Sequence, residues 1–118
     1  MDEDYRRPAN DRDRIRAGLA LQIVAMATGI PVERMTARSR LQGAACRARW
    51  LAMYLAHVTY SWPIERVGLA FGMNRSTAAH ACRQVEDERD HPLIDVLMER
   101  LERCVRELID APAREIRA

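Results

Sequence analysis

From Asp11 onward the apolar residues recur at spacings of three and four and nowhere alternate, which is the period of helices and not of strands. Ile15, Leu19, Ile23 and Met26 form the first apolar stripe. Gly29 stops that helix, and Pro31 opens a short one carrying Val32 and Met35. Residues 37–49 have no clean period; four of the thirteen are Arg and none is acidic, so they read as a basic loop leading into a helix. That helix runs to about Val58, with Leu51, Tyr54, Leu55 and Val58 as its apolar face. Tyr60-Ser61-Trp62-Pro63 reads as a turn, Ile64 to Phe71 as a short helix, and Gly72 as its C-terminal stop. Asn74 is a good N-cap for a helix reaching about Arg89, with Ala78, Ala81, Cys82 and Val85 inward and Thr77, His80, Arg83 and Gln84 on the open side. His91-Pro92 breaks it. A last helix, about Leu93 to Ile109, carries Ile94, Leu97, Leu101, Cys104 and Leu108 at heptad spacing. The chain is expected to be all-α.

Composition narrows the function classes. At 118 residues the chain has the size of one domain, and its longest apolar runs fall short of the ~20 residues a membrane span needs. The acidic start, Met1-Asp2-Glu3-Asp4, has no apolar segment of a secretory signal. Residues 1–10 are polar, carry Pro8 and read as a disordered arm; residues 11–110 read as the folded domain, and 111–118 as a tail. Cys46, Cys82 and Cys104 are odd in number, far apart and outside any metal-ligand spacing, so they are expected to be free thiols. No cofactor or metal is expected, and the carboxylate pair Glu86-Asp87 reads as solvated helix surface, so no enzyme is expected.

All 19 basic residues are Arg. The net charge of +2 hides a division, for residues 17–84 hold eight Arg against Glu33 and Glu65, whereas residues 85–118 hold ten acids against six Arg. A basic middle beside an acidic end suits an anionic ligand, nucleic acid before others, although a solvated basic face would look the same.

Two helices, 64–71 and 75–89, flank a turn with Gly72, and the second begins Asn74-Arg75-Ser76-Thr77. That is a helix-turn-helix pattern, in which the first residues of the second helix meet base edges in the major groove. Arg75 could offer a bidentate fork to guanine, and Asn74 could read adenine if its side chain is not engaged as a cap. Ser76 and Thr77 could bond a phosphate or touch a thymine methyl. A plain capped hairpin would carry the same residues.

Residues from about Val24 to Glu86 resemble the C-terminal DNA-binding domain, domain IV, of the bacterial replication initiator DnaA. The resemblance rests on Leu51-Ala52-Met53-Tyr54-Leu55-Ala56, on Ile64-Glu65-Arg66-Val67-Gly68 with Ala70-Phe71-Gly72, on Ser76-Thr77 and on His80-Ala81-Cys82-Arg83. It implies a Trp repressor-like helical bundle containing the helix-turn-helix, here with an extra C-terminal helix. It also implies that Asn74, Arg75, Ser76, Thr77 and His80 face the major groove. Arg of the basic loop would enter a minor groove, with Arg38, Arg40, Arg47 and Arg49 as candidates, and Arg83, with Ile64 and Arg66 at the start of helix 64–71, would hold phosphates. The family's usual Gly-Gly and Asp-His-Thr-Thr are replaced by Gly72-Met73 and Asn74-Arg75-Ser76-Thr77 with one residue fewer, which implies a different target site.

No phosphate-binding G-x-x-x-x-G-K-[ST] loop is present. The expected function is therefore double-stranded DNA binding by a stand-alone domain, cytoplasmic and nucleoid-associated, regulating transcription as an activator. Such domains resemble regulators of phage-like genes, including gene transfer agent activators of alphaproteobacteria. RNA polymerase, a sigma-like protein or a DNA-bending protein are the expected partners. The alternative is replication control, by competition with the initiator at its DNA boxes. The acidic helix 93–109 is either a partner surface, a homodimer included, or packing on the chain's own core.

Overall fold

A computed structural model describes residues 10–37 and 43–109. Six helices follow one another: α1 (Asp11–Thr28), α2 (Val32–Met35), α3 (Gly43–Thr59), α4 (Ile64–Phe71), α5 (Arg75–Glu88) and α6 (Pro92–Ile109). No strand occurs among the described residues, so the all-α bundle is what the sequence period demands. α3 is the central rod: α1 and α5 pack along it, and α2, α4 and α6 close around it.

The caps explain where the helices start and stop. Asn10 accepts from the N–H of Asp13 at 2.8 Å, and Gly29 ends α1 at φ 75 with its N–H on the Ala25 carbonyl. Gly72 ends α4 in the left-handed region at φ 69. Asn74 caps α5 by accepting from the N–H of Thr77 at 2.8 Å. Each of these residues satisfies backbone groups that a helix end leaves without partners.

Three sequence expectations are corrected. The first concerns α1, where Ile15 is 73% exposed and Met26 84%, whereas Ala17, Ala20, Leu21, Ile23 and Val24 are buried. The second concerns residues 37–49, where α3 begins at Gly43, so Arg47 and Arg49 lie on a helix and not in a loop. Both have one cause. α1 and α3 bury alanines (Ala17, Ala20, Ala45, Ala48 and Ala52), which let the two backbones come close and leave no large-residue period to read. Alanine is also the strongest helix former, so 44–48 needs no apolar stripe to be helical.

The third correction concerns α6. Its buried stripe is Met98, Leu101 and Val105 with Ile94 packed against it, while Cys104 and Leu108 are exposed. The heptad spacing holds, but the buried face is turned toward Glu102. That carboxylate is buried because Arg89 reaches it. Arg89 also donates to Asp95 Oδ1 at 2.7 Å and to the Tyr54 hydroxyl at 3.3 Å. Burial works against the Arg89 charge, but its hydrogen bonds to Asp95, Tyr54 and Glu102 outweigh that and raise its pKa. Burial, reinforced by a hydrogen bond to Glu86, pushes the Tyr54 hydroxyl up to about 12. One guanidinium thus joins the end of α5 to α3 and α6, and α6 belongs to the body of the bundle.

Trp62, which the sequence reading leaves in a turn, is one of the largest fully buried side chains. Its carbonyl lies 2.6 Å from His57 Nδ1, and Tyr60 and the Arg66 guanidinium cover its ring.

Candidate nucleic-acid interface

The site is built on the approach of α4 to the start of α5. Gly72 turns the chain, and the Met73 N–H returns to the Gly68 carbonyl at 2.8 Å. The turn presses so closely on α4 that a Cβ at Gly68 would stand 2.7 Å from the Met73 carbonyl oxygen. Glycine is required there by space, and its cost in a helix, about 1 kcal/mol relative to alanine, is the smaller effect.

α5 has two sides. Ala78, Ala81, Cys82 and Val85 are buried, and burial pushes the Cys82 thiol up to about 11, so it stays protonated at neutral pH. Asn74, Arg75, Ser76, His80 and Arg83 are exposed, and Thr77 is half-buried. Asn74, Arg75 and Ser76 share the first turn, with His80 one turn on and Arg83 beyond it. The cap engages the Asn74 Oδ1, which leaves its amide N–H groups as donors and removes half of a bidentate adenine contact.

Neighbouring elements set the charge of this face. Arg75 Nη1 lies 3.9 Å from Glu65 Oε1, on the first turn of α4. His80 packs edge to face on Trp50 of α3, ring centroids 5.2 Å apart. The sequence reading gave neither Glu65 nor Trp50 a place in the site. No local signal links them to α5, because both contacts are tertiary.

The remaining candidates divide. Arg66 is engaged elsewhere: its Nε and Nη2 donate to both oxygens of the buried Asp13 carboxylate, at 2.9 and 2.8 Å. That fork holds the Asp13 carboxyl below its ordinary value. Ile64 opens α4 behind Pro63, which offers no side-chain cap, and the Arg66 and Val67 N–H groups donate to the Pro63 carbonyl at 3.0 and 3.1 Å. Arg47 is exposed at 65% and lies 3.6 Å from Glu88 of α5. Arg49 is half-buried, and its Nε finds no partner among the described residues. Arg38 and Arg40 lie outside the described residues. Among the described residues no cluster of three His, Cys, Asp or Glu could hold a metal ion, and no helix is long and apolar enough to cross a membrane.

No curated protein and no solved structure matches the chain. The family model described as the bacterial dnaA protein helix-turn-helix matches residues 19–85, more than half of the sequence. The match runs from the middle of α1 to the buried Val85 of α5, and so includes both helices of the motif, the turn between them and the central α3. A helix-turn-helix of that type is a DNA-binding unit, with double-stranded DNA as its partner. The chain belongs to the family of bacterial DnaA helix-turn-helix domains.

Proposed function

We propose that this protein reads a specific double-stranded DNA site through the first turn of α5 and regulates transcription there, as an activator working with a partner protein. It is a binding protein with no catalytic step. The observation that carries the reading is the two-sidedness of α5: four buried residues fix the helix in the bundle, while Arg75 and Ser76 stand exposed immediately past its cap. A fixed helix with an open, basic first turn fits the major groove, where an Arg fork finds the two acceptors of guanine. The change from the family's Asp-His to Asn74-Arg75 favours a target distinct from the initiator's box.

Selection of the full chain against a random duplex library at physiological salt tests the reading. Enrichment of one motif, distinct from the initiator's box, is the expected result, and a reporter placed behind that motif should rise when the protein is present. Arg75→Ala should cost ~1–3 kcal/mol on the selected duplex and relax preference at one base pair. Binding that stays steeply salt-dependent with no enriched motif would show backbone contact alone and overturn it.

A further inference from the structure

We infer that Glu65 is a positioning residue for base readout: its carboxylate holds the Arg75 guanidinium toward the groove floor and away from the flanking phosphates. The inference rests on the reading of Arg75 as a base contact.

Glu65 is one of two acids among residues 17–84, and it stands where a DNA-binding face should avoid negative charge. Its side chain is 62% exposed and that of Arg75 69% exposed, with 3.9 Å between Glu65 Oε1 and Arg75 Nη1. An ion pair so open to water contributes little to folding, so stability does not account for it. Nor does affinity, because a carboxylate beside a polyanion weakens binding to every sequence. What the pair can supply is orientation. An Arg at the edge of a groove has phosphates within reach as well as guanine, and a free guanidinium distributes itself among them. At 3.9 Å the carboxylate on the α4 side attracts the guanidinium without taking any of its N–H donors. The fork is thus biased in direction while its donors stay available to one acceptor pair, and the negative charge penalises an approach to phosphate.

The backbone is built to keep this contact. Glu65 and Gly68 lie on one face of α4, three residues apart. Gly68 is where the turn presses on α4, with the Met73 carbonyl oxygen 2.7 Å from a would-be Cβ. The same close approach that seats Asn74 therefore sets Arg75 beside Glu65. The Asn74 cap then fixes the direction in which α5 leaves the turn.

The test compares Glu65→Ala, Glu65→Gln and Arg75→Ala with the parent chain on the random duplex library, and then on the top selected duplex and its single-base variants. Thermal unfolding should be nearly unchanged for the two Glu65 variants, given the exposure of the side chain. Glu65→Ala should flatten preference at the base pair that Arg75→Ala also flattens, by about threefold or more, while tightening non-specific binding. Glu65→Gln, which keeps one acceptor oxygen, should retain part of the preference. If both Glu65 variants tighten all duplexes equally and leave that preference intact, Glu65 only repels and the inference is overturned. If Arg75→Ala leaves every base preference unchanged, the base reading of Arg75 falls, and the inference with it.

Discussion

Arg83 and Arg75 sit on the same open side of α5, yet their chemistry is expected to differ. Arg75 is at the first turn, proposed above to meet base edges, and has a carboxylate beside it. Arg83 is exposed two turns along, and the resemblance implies a phosphate contact for it. Arg83→Ala should weaken all duplexes by a similar factor and reduce the slope of log K against log salt by about 0.9, the value for one phosphate. A titration of binding against salt on the selected and a scrambled duplex checks it. A loss confined to the selected duplex would make Arg83 a base reader. Arg66 is expected to behave differently again, since Asp13 takes the Nε and Nη2 edge of its guanidinium and holds it at α1. Residue identity made all three arginines candidates, and only tertiary contacts separate them.

At the scale of elements, the close contact between α4 and the turn is the feature most open to a single substitution. Gly68→Ala gains helix propensity of about 1 kcal/mol but drives a methyl to 2.7 Å from a backbone oxygen that cannot move without its peptide. Overpacking costs ~1–3 kcal/mol, so a net loss of stability is expected, with weaker specific DNA binding as the turn shifts. Denaturant unfolding and binding of the selected duplex measure the two effects, and a stabilised variant would show that α4 and the turn can part freely. Much of this motif was legible in the sequence. Gly72, Asn74 and the inward set Ala78, Ala81, Cys82 and Val85 follow from cap chemistry and helical period, and the structure has them in those roles. The faces of α1 and α6 were not legible. Alanines buried at a close helix contact carry no large-residue period, and Glu102, a carboxylate on an acidic helix, is buried with Arg89 bonded to it. The start of α3 was hidden for the first reason, and Trp62 because a tryptophan before proline looks like a turn while serving as core.

Across the whole molecule, the ends of the motif are tied to distant parts of the chain. Asp13 at the start of α1 grips Arg66 on α4, fifty-three residues away, and the Tyr60 hydroxyl donates to the Arg16 carbonyl at 2.7 Å. The hydrogen bond from Arg66 is the main reason the Asp13 carboxyl titrates below its ordinary value of 3.8. A carboxyl depressed in the folded state stabilises fully above its unfolded value and stops doing so as the pH falls through its folded one. The melting temperature should therefore drop on acidification below the ordinary carboxylate range. Asp13→Asn should lower stability at neutral pH by ~1–3 kcal/mol and make that acid decline shallower. Thermal unfolding followed from neutral to strongly acid pH decides it, and an unchanged acid decline would place the titrating groups elsewhere.

That tie between α1 and α4 bears on how such a protein acquires new targets. A helix pair cut from this bundle and grafted elsewhere would carry Arg75 and Ser76 but leave behind Asp13, which holds Arg66, and α3, which supports α5. Its aim would be lost along with its frame. If the first turn of α5 reads the bases as proposed, a new target is reached most directly by exchanging the outward side chains at 65, 75, 76 and 80 in place, with the frame left as it is. Frame and reading surface are separable only in that direction: the exposed residues can change on the bundle, but the helix pair cannot leave it.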